Sequence, residues 1–146
     1  MESLDPVADT GFEHLAGLAA AAAKTLADPA LFAQAAPALV PLAVAGVKEN
    51  FGRRQGPDGS PWAPLADPRA RGRPPLVKTG VLRDSIQATA GAGWVAVSSA
   101  VPYAGYQDRG TRTIPARTFL YLSQQVLDRM AWLCAGYAAS QVWGGK

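Results

Sequence analysis

Ser85-Ile86-Gln87-Ala88-Thr89-Ala90-Gly91-Ala92-Gly93-Trp94-Val95-Ala96-Val97-Ser98-Ser99 is the stretch that decides the fold class. Two β-prone runs, Ser85 to Ala90 and Trp94 to Ser99, flank a Gly-Ala-Gly connection, which is the pattern of an antiparallel hairpin. Side chains alternate across a strand. Trp94, Ala96 and Ser98 therefore share one face, and Val95, Val97 and Ser99 the other. The valine face is the better core candidate. The 15 Gly and 12 Pro argue against a wholly helical chain. The expected fold is α+β: a small antiparallel sheet packed by long N- and C-terminal helices, with a long mobile basic loop.

Upstream of the hairpin, Leu76 to Asp84 reads as a short turn or helix, with Thr79 as its cap and Leu82 pointing inward. Gln55 to Arg73 reads as a loop. Pro57-Asp58-Gly59 is a turn signal, Trp62 and Leu65 are the expected anchors, and Pro61 and Pro64 stiffen the path. Asp67 to Pro75 offers only Ala70 as an apolar anchor and is expected to be mobile. Ala30 to Val47 is an uncharged run of 18 residues, long enough by length alone to span a membrane. Gln34, Pro37, Pro41 and heavy alanine dilution favour a core helix instead. That helix is expected to start near Pro37 or Pro41, to present Val40, Val44, Val47 and Phe51 on one face, and to stop at Gly52. A first helix is expected from Gly11 to Leu26, along Phe12, Leu15, Leu18, Ala22 and Leu26. Asp28-Pro29 ends it, and His14 falls off its stripe.

Downstream, Tyr103 to Gln107 suits one helical turn, and Gly110 to Thr113 a turn. Ile114 to Leu122 can hold a third strand, with Pro115 at an edge or bulge. The last helix runs from about Ser123 to Val142, along Val126, Met130, Leu133 and Tyr137, with Leu127 and Cys134 beside that stripe. Cys134 reads as a buried core thiol. Trp132 and Trp143 are candidates for partner contacts or for an exposed edge of core. The whole chain reads as one domain: residues 1–52 helical, 53–78 an extended loop, 79–122 the sheet region and 123–142 the C-terminal helix.

Composition narrows the function classes. Of 146 residues, 29 are alanine, so core formers are fewer than the 49% hydrophobic content suggests. One Cys excludes an internal disulfide and a multi-Cys zinc site, and one His excludes a His-rich metal centre. Met1 to Asp9 is acidic where a secretion signal needs a basic start. No Gly-x-Ser-x-Gly, Walker loop or His-Glu-x-x-His is present, and the acids are scattered rather than paired. Tyr103, Tyr106 and Arg109 suit a packed aromatic turn better than a proton-transfer cluster. No catalytic residue, metal or cofactor is expected. The net charge of +3 hides a basic centre: Arg53 to Arg117 holds ten cations against four acids, and nine of the ten are Arg. Arg suits fixed contacts to phosphate or carboxylate.

The order of short motifs carries more than any one of them. Phe51-x3-Gln55-x-Pro57-Asp58-Gly59-x2-Trp62-x-Pro64-Leu65 comes first, then Leu76-x2-Thr79-Gly80-x-Leu82-Arg83-x-Ser85-Ile86 and the Val95/Val97 strand. Tyr103-Ala104-x2-Gln107-x2-Gly110 follows, and Ile114-Pro115-Ala116-Arg117-x-Phe119-Leu120 closes the series. This series resembles the phage virion morphogenesis family, the tail-completion or head–tail joining proteins typified by protein G of phage Mu. Four positions depart from its usual pattern: Gln107 replaces His, Arg109 an aromatic, Thr118 a Pro and Tyr121 a Gly.

The resemblance implies a structural protein of a tailed phage or prophage, assembled in the bacterial host cytoplasm and carried in the virion neck or tail. It implies a homo-oligomer, a ring most often of six subunits. The ring would adjoin a head-side connector or stopper and a tail terminator or tail tube, with backbone contact to genomic DNA and no membrane. Phe51, Trp62, Leu65, Leu82, Ile86, Val95, Val97, Tyr103, Ala104, Ile114, Phe119 and Leu120 would build the fold, and Gly59, Gly80 and Gly110 the turns. Arg117 would bond carbonyls or a carboxylate within a strand. Arg69, Arg71, Arg73 and Lys78 would be the functional surface, meeting DNA phosphate or an acidic partner. The competing readings are a sequence-independent nucleic-acid-binding module and a membrane-active holin-like protein.

Overall fold

The computed structural model describes residues 27–143, with Ala20, Ala23 and Lys24 ahead of them. The expected first helix, with His14, otherwise lies outside the described residues, as does the side chain of Trp143. Helix α1 (Pro29–Arg53) is followed by a 3-10 turn (Pro68–Ala70), α2 (Val81–Asp84), β1 (Ile86–Gly91), β2 (Trp94–Ser99), α3 (Ala104–Arg109) and α4 (Gln124–Trp143). The class is α+β: two long helices packed on a two-stranded antiparallel sheet.

Helix α1 begins eight residues before Pro37, not at Pro37 or Pro41. Asp28 adopts an extended backbone, and its Oδ1 accepts from Ala30 N (2.9 Å) and Leu31 N (3.4 Å). Pro29 occupies the first helical position, where a missing N–H costs nothing. Pro37 and Pro41 then sit inside the helix, four residues apart and both exposed. Each removes a helical hydrogen bond, and burial of the opposite face offsets the loss. That face is centred on Ala35, Leu39, Ala43 and Val47, all at most 1% exposed. The expected stripe was rotated: Val40 and Val44 flank the buried line and are only half-buried. Nor does Gly52 end the helix. It closes at Arg54, in the left-handed region at φ 55°, whose N–H bonds Asn50 O. By length and composition α1 is apolar enough to cross a membrane. Here its apolar line covers α4 and both strands.

The hairpin forms one residue out of the expected step. Gly91 pairs with Trp94, Ala88 with Val97 and Ile86 with Ser99, leaving Ala92-Gly93 as the turn. Val95 and Val97 turn inward, whereas Trp94 is 53% exposed. Ser123 immediately precedes helix α4, and its Oγ and carbonyl both accept from Val126 N. It crosses α1 closely: a Cβ built on Gly46 would sit 2.8 Å from both Val126 methyl groups. Only glycine allows that approach, and Val126 is fully buried against it.

Among the described residues, two clusters make the core. One joins Phe32, Ala35 and Leu39 to Cys134, with Val95, Met130, Leu133 and Tyr137 around them. Burial pushes the Cys134 thiol above its ordinary pKa. The other joins Val47 and Phe51 to Trp62, Leu82, Ile86, Ala104 and Phe119. Trp62 meets Phe51 edge-on at 5.9 Å and 85°, a favoured aromatic geometry. Its Nε1 donates to Thr118 O at 3.1 Å. Leu65 and Tyr103 are not in this core. They are 37% and 44% exposed, and both line an open groove instead. Leu127, beside the α4 stripe, is also exposed.

Trp62→Ala is expected to cost about 3–5 kcal/mol, read as a shift in the urea midpoint at unchanged slope.

Candidate functional site

The third strand expected over Ile114 to Leu122 does not form. Among the described residues the segment pairs with no strand, and side chains supply what a neighbouring strand would. Asp108, near the end of α3, accepts both Phe119 N and Leu120 N on one carboxylate oxygen, each at 2.9 Å. Asn50, fully buried on α1, donates from Nδ2 to Phe119 O (2.9 Å) and Tyr121 O (2.8 Å). Thr118 O takes the Trp62 indole N–H, and Gln107 O takes Arg117 N at 2.9 Å. The result is a strap, residues 117–121, clamped between α1, α3 and the loop after α1. Phe119 is driven inward by the clamp to zero exposure, 5.2 Å from Phe51.

Neither Asn50 nor Asp108 was singled out from the sequence. Asn50 did leave a signal, since it keeps phase with Leu39, Ala43 and Gly46 on the buried line of α1. Asp108 left none: a carboxylate near a helix C-terminus is unfavourable for the helix dipole, and only the strap's amide groups explain it.

Two of the departures from the family pattern belong to this clamp. Thr118 Oγ1 donates to Asp108 O at 3.2 Å, and Tyr121 OH donates to Gln55 O at 2.8 Å. Burial raises the Tyr121 pKa, with Asp58 adding to the rise and Arg53 opposing it. Gln107 uses its backbone carbonyl in the strap, so that bond would survive a histidine there.

Gly110 lets the strap turn back on α3. Its φ is 75°, and a Cβ would meet Ala116 N at 2.7 Å and Ile114 O at 2.9 Å. Gly59 and Gly80 also have positive φ. At the Pro57-Asp58-Gly59 turn, Asp58 accepts from the Ser60 hydroxyl and amide, and those bonds lower its pKa.

Arg117 is 5% exposed and reaches out of the strap to the loop. Its Nε donates to Ala63 O (2.7 Å) and its Nη2 to Pro64 O (2.9 Å). Carbonyl bonding matches the expectation; the strand around it does not. Desolvation pushes its pKa down, though an arginine stays protonated. Beside it opens a groove of about 500 Å³ between residues 65–79, α3 and residues 113–117.

Arg69, Arg71, Arg73 and Lys78 are all exposed. Their segment has a local fold. Asp67 Oδ1 caps Arg69 N at 2.9 Å, Ala70 N bonds Asp67 O, and Arg73 N bonds Ala70 O. Pro75 is buried, and Leu76 takes a left-handed backbone at φ 65°. The three arginines thus sit on a turn, while Lys78 stands on the groove wall. Thr79 Oγ1 accepts from Val81 N at the start of α2, and Arg83 pairs with Asp84 at 3.1 Å. Pro115 is exposed in the groove rim. Among the described residues, no group of three or more His, Cys, Asp or Glu gathers to hold a metal.

The site thus joins a buried clamp, an outward basic turn and an open, largely apolar groove. The chain belongs to the phage virion morphogenesis family, whose sequence model matches residues 14–134. No curated protein and no solved structure matches it. The family is a structural one, and its members are virion-associated.

Asn50→Ala is expected to cost about 2–4 kcal/mol, since two strap carbonyls lose their donor. Asp108→Asn, which keeps an acceptor, is expected to lose clearly less stability than Asp108→Ala, both measured by thermal unfolding.

Proposed function

We propose that this chain is a subunit of a ring at the head–tail neck, completing or joining the tail to the DNA-filled head. The carrying observation is the division of labour among the family motifs. Their buried members, Trp62, Arg117 and Phe119, spend their hydrogen bonds and rings on the clamp. The basic turn mounted on that clamp keeps its charges in solvent. The arrangement favours contact over chemistry: charge is presented on a fixed base.

In a ring, Arg69, Arg71, Arg73 and Lys78 of every subunit recur around the channel as a collar of positive potential. A genome end passing through has no fixed register, so the contact that suits it is to phosphate and independent of sequence. Trp132 and Tyr106, each 60% exposed, and Trp94 give apolar surface for neighbouring subunits or neck proteins.

Replacing Arg69, Arg71 and Arg73 together by Ser is expected to leave the fold intact, because all three are exposed. It should lower infectious titre, with salt-sensitive loss of packaged DNA. Accumulation of filled heads beside free tails would instead assign the turn to a protein partner. An unchanged titre rejects the functional role of the turn. A single asymmetric copy in the assembled neck, seen by electron microscopy, rejects the ring.

A further inference from the structure

The groove beside the strap has a buried positive charge in its wall and, among the described residues, no acid to balance it. Arg117 spends Nε and Nη2 on the carbonyls of Ala63 and Pro64. Its Nη1 makes no hydrogen bond, and its guanidinium no ion pair, among the described residues. Buried charges are ordinarily paired, because carbonyl dipoles replace only part of the lost hydration. None of the residues lining the groove is Asp or Glu. The acids closest in sequence are engaged elsewhere: Asp108 holds the strap, Asp84 pairs with Arg83 and Asp67 caps the 3-10 turn. A second cation, the exposed Lys78, stands on the same groove. The remaining lining is largely apolar, with Leu65, Leu76, Tyr103 and Ile114 facing the opening.

We propose that this groove docks an acidic segment of a neighbouring virion protein. An Asp or Glu carboxylate lies against Arg117 Nη1 and Lys78, and an adjacent aliphatic or aromatic side chain seats among Leu65, Leu76 and Tyr103. Charge complementarity selects the carboxylate: one desolvated guanidinium with a free donor edge is the partner a side-chain carboxylate forms strong bonds with. The apolar walls select a peptide over a nucleic acid, since a phosphate backbone is held by several solvated cations and leaves such walls uncovered. The proposal rests on the reading of the chain as an assembly protein, but its test does not use the virion.

The test is fluorescence anisotropy on the full chain with a labelled Asp-Leu-Asp-Phe peptide and its Asn-Leu-Asn-Phe counterpart. The acidic peptide is expected to bind saturably, and the amide version roughly tenfold or more weaker. Lys78→Ser should weaken the acidic peptide roughly three- to tenfold, and added salt should do the same. Arg117→Lys also gives up the bonds to Ala63 and Pro64 and can fail to fold. Thr113→Glu therefore carries the decision, because it sets a like charge on an exposed groove residue. It should abolish binding with an unchanged circular dichroism spectrum. The proposal is overturned by no saturable binding of the acidic peptide, equal binding of the two peptides, binding indifferent to Thr113→Glu, or displacement of the peptide by a short DNA duplex at equal charge. Self-association of the chain that Thr113→Glu abolishes would make a second copy the occupant, and also overturns it. A failed peptide titration with a neck-defective arginine triple variant separates this inference from the reading beneath it.

Discussion

One carboxylate oxygen of Asp108 holds two consecutive amides of a segment that has no neighbouring strand, and Asn50 holds the carbonyls on the other side. Everything on the basic side of the molecule depends on that clamp. Consecutive backbone groups of an extended chain point alternately outward, so an unpaired segment leaves several polar groups to satisfy. Here two side chains from different helices do so. They press Phe119 against Phe51, position Thr118 O for the Trp62 indole and bring Arg117 to the loop carbonyls. Because Asn50 lies on the buried line of α1, its two bonds tie the strap to that helix.

The clamp explains how a chain so rich in alanine presents a defined surface. Alanine lets α1 and α4 come close, and Gly46 lets them touch at Val126, but neither residue buries much area. The larger side chains are concentrated around the strap, where Phe51, Trp62, Leu82 and Phe119 interlock. The two ends of the molecule are therefore built differently. The Cys134 end is held by apolar packing of Phe32 and Leu39 from α1 against α4, and the Trp62 end by aromatic rings and directed hydrogen bonds. The groove sits at the second end, where Leu76 and Leu82 belong both to its lining and to the Trp62 cluster.

Buried Asn50 retains one cost, since its Oδ1 has no partner among the described residues. An unpaired buried acceptor is destabilising, and it is outweighed by the two strap bonds its Nδ2 makes. A leucine there would fill the space and leave the strap without a donor. The position is thus specified by hydrogen-bond geometry rather than by hydrophobicity.

Local pattern was enough for the hairpin, the C-terminal helix, the short turn around Leu82 and the inward Trp62. The motif order was enough for the family. Each depends on neighbours in sequence: strand alternation, helical period, glycine at turns. The start of α1 was misread because Pro37 and Pro41 were given their local meaning, and tertiary burial of the opposite face overrode it. The third strand was misread because alternation marks an extended segment but does not say who pairs with it. Asn50 and Phe119 are 69 residues apart in the chain, and no local rule connects them. Sequence alone therefore determined which segments are helical or extended and which family they compose. Only the tertiary structure decided the strap's partners and the groove left beside Arg117, because hydrogen bonds between distant segments exist only once the chain has folded.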